Sequence, residues 1–229
     1  MSGTSRLRDW LIASATSLVI LGVSIAPFLV PAYIRLEQDR VGVDELTGYT
    51  RPQLDTIAGS LITDLVLWRG DFDVAVDGAP VLKDRERGHM RDVRGVFAGF
   101  FALVAIAAFV LVVAARRSST EARFALWRAV SAGARALAVG LAVAGALTIL
   151  AFDAAFELFH RLFFSSGTYT FDPRTDRLVQ LFPEAFWSET AMIVGVLALA
   201  LALLTMWQAR RHTASRSITP VLTASKART

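Results

Sequence analysis

Between Arg94 and Arg116 the chain contains, at residues 96–115, the run VFAGFFALVAIAAFVLVVAA. No charged residue interrupts this run, and arginines stand close to both of its ends. A helix needs about 20 predominantly apolar residues to cross the hydrocarbon core of a bilayer. The stretch therefore predicts a membrane-spanning helix, with bounds of 95–115.

Three other stretches have the same character, at 10–34, 129–160 and 190–209. The third span has its apolar part at 136–152 and continues outward as a polar extension. Hydrophobic residues make up 54% of the chain and charged residues 19%, and the mean hydropathy is +0.49. Globular proteins are less apolar and carry about 25% charged residues. We therefore predict an all-α membrane protein with four transmembrane helices.

The first span is longer than the apolar core of a signal peptide, which has about 7–15 residues. It is uncharged from Trp10 to Ile34, and no Ala-x-Ala cleavage site follows it. We therefore expect a retained anchor. Pro27 and Pro31 lie near its outer end, where proline kinks a helix or ends it, here close to Tyr33.

Basic residues predict the orientation, because Lys and Arg in short loops are retained on the cytoplasmic side. Segments 1–9, 116–128 and 210–229 are rich in arginine, and the last of them is predicted to be a disordered tail. Segments 35–94 and 161–189 are then extracytoplasmic. The expected location is the cytoplasmic (inner) membrane, with both termini inside.

The first outer segment, 35–94, is long enough to form a small cap. Apolar residues recur every three or four positions from Arg51 to Trp68, which predicts an amphipathic helix with Pro52 in its first turn. Alternation from Phe72 to Val76, followed by Asp77-Gly78, predicts a short hairpin. From Asp84 the chain is predicted to run as one helix into the second span. Segment 161–189 is rich in aromatic residues, which favours the membrane interface.

Two histidines carry the candidate chemistry. His89 lies seven residues before Val96 and His160 eight residues after Phe152. At ~1.5 Å per helical residue, each lies on the order of 10–12 Å above the apolar boundary, so both reach one level. The third histidine, His212, falls in the basic tail and is set aside.

Carboxylates stand at helical spacing from both histidines. Glu86 and Asp92 are three residues on either side of His89, and Asp153 and Glu157 precede His160 on one face. A carboxylate that accepts one ring N–H orients an imidazole for acid/base work. The alternative is that the histidines are solvated surface residues and that the carboxylates mark where a helix leaves the bilayer.

Several reaction classes are excluded. The chain has no Cys, so it has no disulfide, thiol nucleophile or thiolate metal site. It also has no Gly-x-Ser-x-Gly elbow and no glycine-rich phosphate loop. Histidines and carboxylates could bind zinc, but no His-Glu-x-x-His pair is present, so we expect no metal and no cofactor. Glycines at 133, 140 and 145 are interpreted as helix packing.

Four motifs together resemble the lipoprotein intramolecular transacylase family of four-span integral membrane proteins. They are GHMRDVR at 88–94, FDAAFELFHRLFF at 152–164, FDP at 171–173 and LFPEAF at 181–186. The likeness extends from about 32 to 207, with the motifs in the same order.

The resemblance implies an enzyme whose site lies at the outer face of the membrane. It moves the sn-2 acyl chain of a diacylglyceryl-cysteine onto the α-amino group of the same cysteine. His89 and His160 match the family's presumed catalytic pair, and Asp92 belongs to the same motif as His89. The implied partners are the diacylated lipoprotein terminus and membrane lipid, with no nucleic acid. The candidate catalytic residues are His89, His160, Asp92, Asp153 and Glu157.

Two other classes of function remain. The chain could be a non-catalytic membrane protein that binds lipid or a partner through its cap, and such a protein would tolerate loss of either imidazole. A transporter is third, because the chain lacks internal repeats and has no charged residue deep inside a span.

Overall fold

The structure is a computed structural model that describes residues 3–119, 122–165 and 167–214. Within these residues the regular secondary structure consists of helices and one two-stranded sheet. The elements are α1 (Gly3–Ile25), a 3₁₀ turn (Ala26–Phe28), α2 (Pro31–Arg40), α3 (Val43–Thr47), α4 (Arg51–Leu67), β1 (Ala75–Val76), β2 (Ala79–Pro80), α5 (Asp84–Arg117), α6 (Ala122–Leu150), α7 (Phe152–Phe163), α8 (Arg177–Leu181) and α9 (Glu184–Ala214).

Four helices of the described chain are long and apolar enough to cross a membrane. These candidate spans are Ser5–Phe28, Asp84–Arg117, Ala122–Thr148 and Glu184–Ala214. The prediction of an all-α membrane protein with four spans is confirmed. As predicted, one helix begins in the charged run at Asp84 and runs into the second span, since α5 continues without a break through the apolar stretch.

The outer end of the first span differs from the prediction of one helix over 10–34. The helix α1 ends at Ile25, nine residues before the predicted end. Pro27 lies in the following 3₁₀ turn, and Pro31 opens α2. Proline has no N–H to donate to the preceding turn but suits the first turn of a new helix, so each proline marks a boundary.

The third span is likewise not continuous over 129–160. The helix α6 ends at Leu150, and Ala151 has φ −155° and ψ 64°, outside the helical region, before α7 begins at Phe152. A new helix starts at once, since the Ala155 N–H donates to the Ala151 carbonyl at 3.1 Å. Neither Gly nor Pro is present here, so the local sequence did not predict the break.

The boundaries predicted at 116–128 and 210–229 also shift. The helix α6 begins at Ala122, inside the predicted loop, and α9 continues to Ala214, inside the predicted disordered tail. Aromatic contacts support this last turn: the His212 ring stacks on Trp127 at 4.3 Å, and the Arg211 guanidinium lies 3.7 Å from the Trp207 ring centroid. The rest of the predicted tail, 215–229, lies outside the described residues.

The described chain divides into two compact units. The first is formed by the described parts of Met1–Ser24, Ala102–Ala144 and Gly195–Thr229. Small residues allow close helix packing here: Ser17 Oγ donates to the Gly133 carbonyl at 3.1 Å, and a Cβ on Gly133 would collide with the Ala13 backbone. The packing interpretation is confirmed for Gly133. It is wrong for Gly140 and Gly145, since no neighbouring helix of the described chain lies within 4 Å of an added Cβ there.

The second unit contains Ile25–Phe101 and Gly145–Val194, and holds the predicted cap. As predicted, α4 has Pro52 in its first turn, preceded by a capping box in which the Thr50 N–H donates to Gln53 Oε1 at 2.8 Å. The hairpin is also confirmed, with Ala75 opposite Pro80. The core of this unit consists of Val43, Leu54, Ile57, Leu61, Leu65, Phe72, Val81, Leu82, Met90, Leu178 and Leu181.

Candidate active site

His89 and His160 come together in the second unit. Their ring centroids are 6.0 Å apart, with 23° between the ring planes. His89 lies on the charged first part of α5, and His160 lies near the end of α7. Both are buried, at 7% and 8% exposed. The prediction that two distant parts of the chain bring these imidazoles to one level is therefore supported by the geometry.

The orientation of His160 comes from the backbone rather than from a carboxylate. Its Nδ1 lies 2.8 Å from the carbonyl oxygen of Phe156. A carbonyl can only accept, so Nδ1 carries the proton and donates it. In the neutral ring the lone pair is then on Nε2, which is the nitrogen able to accept a proton from a substrate. The expectation that Asp153 or Glu157 would orient this ring was wrong.

Aromatic rings surround the pair. Phe164 contacts both imidazoles, with centroid distances of 4.8 Å to His89 and 5.4 Å to His160. Phe171 lies 5.5 Å from His89, and Tyr169 lies 5.1 Å from His160. These residues come from the segment between α7 and α8. They exclude water from the imidazoles on several sides, which strengthens any electrostatic interaction made there.

The environment of His89 favours the uncharged imidazole. This residue precedes the apolar stretch of α5, in a part of the helix too highly charged to enter the hydrocarbon. Burial, helped by repulsion from His160 and opposed by Asp92, lowers the pKa of His89 to about 4. Its Nδ1 is buried and has no hydrogen-bond partner among the described residues. An unsatisfied buried nitrogen is costly in a folded protein and is therefore a candidate for contact with a ligand.

The two carboxylates that flank His89 have different surroundings. Glu86 is fully buried and accepts the backbone N–H groups of Lys83 at 2.7 Å and Leu178 at 2.6 Å. It therefore joins the start of α5 to α8, and both of its oxygens are bonded to backbone N–H groups rather than to His89. Asp92 is exposed and lines a cavity together with His89.

The carboxylates of α7 are also separated by the structure. Glu157 accepts Arg161 Nε at 2.8 Å and the Tyr169 hydroxyl at 3.2 Å. The bond from Arg161 lowers the pKa of Glu157, so this group stays ionised near the His160 ring. Asp153 is exposed, and among the described residues it makes no hydrogen bond or ion pair. Its predicted catalytic role has no support from contacts.

The cavity beside His89 has a volume of about 410 Å³. Its lining residues come from α5 and from the segment after α7, namely Arg85, Gly88, His89, Arg91, Asp92, Gly167 and Thr168. A space of this size can hold the polar end of a lipid-modified residue. In the described part of the chain, no three His, Asp or Glu side chains are grouped closely enough to hold a metal ion.

Comparison with known proteins gives a family. The family profile described as "Lipoprotein intramolecular transacylase Lit" matches residues 10–187. The chain belongs to the lipoprotein intramolecular transacylase family. It is thus a multi-pass membrane protein from a family of enzymes. No curated protein matches it.

Solved structures of lipoprotein intramolecular transacylase Lit from Bacillus cereus have the same fold. One is 19% identical with a TM-score of 0.75, and the match covers 95% of this chain and 100% of that one. Two others carry single substitutions of one histidine. The histidine-to-arginine form is 17% identical with a TM-score of 0.76, over 94% of this chain and 95% of that one. The histidine-to-alanine form is 18% identical with a TM-score of 0.72, over 94% and 96%.

In this transacylase-family chain, sequence reasoning missed the aromatic contacts of the site. Tyr169, Phe164 and Phe171 were assigned only to the membrane interface. Their signal in the sequence is an unusual density of rings between His160 and Pro173, interleaved with Gly and Ser. Such a segment can fold back over a helix end, but composition alone does not show which side chains then meet the imidazoles.

Proposed function

We propose that this chain moves the sn-2 acyl chain of a lipoprotein's diacylglyceryl-cysteine onto the α-amino group of the same cysteine. The product is a lyso-form lipoprotein. The observation that carries this proposal is the buried imidazole pair, in which the lone pair of His160 is on Nε2 because Nδ1 donates to Phe156. Family membership supports the reaction class.

The reaction needs no protein nucleophile. Amine and ester belong to one molecule, so the enzyme gains from their high effective concentration once they are correctly oriented. The amine nitrogen attacks the ester carbonyl carbon, and Nε2 of His160 accepts the proton that the nitrogen loses. The bond from this carbon to the glycerol oxygen then breaks, and His160 returns the proton to that oxygen. Atoms and protons balance without water.

His89 serves the oxyanion that forms on the carbonyl oxygen. A neutral imidazole retains one N–H and donates one hydrogen bond, and such a donor in a dry site stabilises developing negative charge. The lowered pKa of His89 keeps it neutral at physiological pH, so it donates without carrying a charge itself. Exchange of the two roles is the alternative assignment, which the tautomer of His160 disfavours.

The same proposal includes a location. The distribution of arginines supports a cytoplasmic-membrane protein with both termini inside and the imidazole pair at the outer face. The partners in the reaction are then the diacylated amino terminus of a lipoprotein and the surrounding lipid. The cavity beside His89, with its charged and hydroxyl side chains, suits the cysteine end of the substrate, and the exposed apolar side chains of α7, among them Leu158 and Leu162, suit the acyl chains.

The test is mass spectrometry of the amino-terminal lipopeptide from a reporter lipoprotein, in cells without other N-acylation. The wild-type chain is expected to shift one acyl chain from glycerol to nitrogen. His160→Ala is expected to lower the transfer by about 10²–10⁴-fold, the contribution typical of a general base, and His89→Ala to lower it by about 10²–10³-fold.

The matched control is His212→Ala, which removes an imidazole that stacks on Trp127 in the other unit. This variant is expected to retain transfer. Full transfer by His160→Ala would contradict the mechanism. No transfer by a folded, membrane-inserted wild-type chain would favour the binding function, because a binding protein does not need either imidazole.

A further inference from the structure

We propose that Asp92 forms an ammonium subsite, which holds the positively charged α-amino group of the substrate cysteine beside His89 before acyl transfer. This inference rests on the proposed function and adds the recognition of a free amino terminus. It concerns a carboxylate that lines the cavity and that makes no hydrogen bond or ion pair with the residues that the structure describes.

The cavity contains both positive and negative charges. Three charged side chains line it, namely Arg85, Arg91 and Asp92. Arg85 donates to Asp176 Oδ2 at 2.9 Å, and its guanidinium also lies 4.8 Å from the Phe171 ring centroid. This arginine is therefore already engaged with groups that hold it.

Arg91 is engaged in the same way. Its Nε and Nη2 donate to the two carboxylate oxygens of Asp71, at 2.7 and 2.6 Å. Such bidentate pairs are geometrically specific and strong for exposed ions. This interaction is also the main cause that lowers the pKa of Asp71 to about 2. Both arginines are therefore paired with carboxylates other than Asp92.

Asp92 itself lacks a partner. Among residues 3–119, 122–165 and 167–214, no hydrogen bond or ion pair within 4.0 Å reaches its carboxylate. It follows His89 by three residues on one helix, so both side chains point to the same side, and the Asp92 charge is felt by the His89 ring. The cavity therefore presents one uncommitted negative charge next to the imidazole pair.

The substrate supplies the complementary charge. An α-amino group has an ordinary pKa near 8, so at neutral pH it arrives as an ammonium with three N–H donors. Asp92 accepts N–H bonds from this ammonium. One proton leaves to solvent and frees the amine, and a second passes to His160 during the attack and then to the glycerol oxygen. After transfer the nitrogen is a neutral amide. The attraction to Asp92 is then lost, which favours release of the product and excludes chains that are already N-acylated.

The test measures binding with a substrate analogue that cannot react. The analogue is a diacylglyceryl-cysteine peptide in which the sn-2 ester is replaced by an ether, prepared with a free α-amine and with an N-acetylated amine. The full-length wild-type chain in nanodiscs is expected to bind the free amine at least about 10-fold more tightly. This is the size expected for hydrogen bonds to a charged group.

Asp92→Asn is expected to abolish this preference while binding of the N-acetylated analogue stays within about 2-fold, which shows that the cavity is intact. Asp92→Glu is expected to restore part of the preference. Asp84→Asn makes the same chemical change on the same helix, at a side chain that is 99% exposed and outside the cavity. It is expected to behave as wild type.

An acyl-transfer assay run in parallel separates the two proposals. Here Asp92→Asn is expected to raise KM by about 10-fold, with kcat within about 3-fold of wild type, because Asp92 binds the ammonium without accepting its proton. If Asp92→Asn retains the preference for the free amine while the wild-type chain transfers acyl groups, the subsite is overturned and the proposed function stands. If the wild-type chain shows the preference and transfers nothing, the proposed function fails instead.

Discussion

Glu86 and Asp92 stand three residues on either side of His89, yet they lie in opposite environments. Glu86 is fully buried, and each of its side-chain oxygens accepts a backbone N–H. Asp92 is exposed at the cavity and lacks a partner among the described residues. The same residue class at the same spacing thus holds the fold at one position and lines the cavity at the other.

The polar groups that surround the two carboxylates differ in the same way. On the Glu86 side, Asp176 accepts Lys83 Nζ at 2.8 Å and the backbone N–H of Asp172 at 2.8 Å, so the polar groups there are satisfied. On the Asp92 side, Nδ1 of His89 also has no hydrogen-bond partner within the described chain. Satisfied polar groups stabilise a fold, whereas unsatisfied ones mark the place where a ligand completes the contacts.

The largest effect that tests this comparison is on stability. Glu86→Gln replaces one accepting oxygen by an NH₂ group that confronts a backbone N–H in a fully buried place. We expect the free energy of unfolding to fall by about 2–3 kcal/mol, since a buried donor loses its acceptor. Asp92→Asn is the matched control and should change stability by roughly 0.5 kcal/mol or less.

Thermal unfolding of the purified proteins in one detergent measures both variants. If Glu86→Gln and Asp92→Asn melt at the same temperature, the distinction between a structural and a ligand-facing carboxylate is wrong. A large loss for Asp92→Asn alone would reverse the assignment.

The next effect concerns pH. The folded pKa of His89 is about 4, below the ordinary value of 6.5, so unfolding takes up a proton between these values. The stabilisation from the neutral ring is complete above pH 6.5 and is lost as the pH falls toward 4. Between pH 7 and pH 5 this contribution amounts to about 2 kcal/mol. His89→Gln does not titrate and should show a smaller loss of stability over this range.

Unfolding curves of wild type and His89→Gln at the two pH values measure the difference. Identical pH dependence of the two proteins would mean that His89 titrates normally and is not dry. In that case the argument for a neutral donor to the oxyanion would fail.

The smallest effect is at Tyr169, whose hydroxyl donates to Glu157. Tyr169→Phe keeps the ring against His160 and removes only the hydrogen bond from the hydroxyl to Glu157. We therefore expect the rate of acyl transfer to fall by about 2–5-fold. Tyr49→Phe removes a hydroxyl from a ring beneath Arg177 and is the control. The initial rate of lyso-form production is the measurement. A loss beyond about 50-fold would indicate that the Tyr169 hydroxyl contacts the substrate.

Much of the fold follows from the sequence because its signals are long. A long pattern predicts an element whatever any single residue in it prefers. Examples are the run of twenty apolar residues in α5 and the seven apolar positions at helical spacing in α4. The prolines predicted a break in the first span but not its place at Ile25, and the break at Ala151 did not follow at all, since each depends on how a few residues end one helix and start another. Helix boundaries are local events, and α7 begins without Gly, Pro or a polar cap to signal it.

The candidate site followed only in part. The proximity of His89 and His160 could be predicted from their equal distances to the apolar boundary. The partner of His160 could not, because a backbone carbonyl carries no signal in the sequence. Nor could the difference between Glu86 and Asp92, since it depends on where Leu178 and the aromatic segment fold.

In the proposed reaction, the acyl chain moves from glycerol to nitrogen within one substrate molecule, and the imidazole pair controls this transfer. The direct measurement uses purified chain in lipid vesicles with a synthetic diacylglyceryl-cysteine peptide that has an isotope-labelled sn-2 chain, mixed with a peptide of different mass and an unlabelled chain. Tandem mass spectrometry then locates every acyl group. We predict that the labelled acyl group appears only on the nitrogen of the peptide that carried it at the start. With His160→Gln, almost no N-acylated product is expected. Labelled chains on the second peptide, or equal transfer by His160→Gln, would contradict the account.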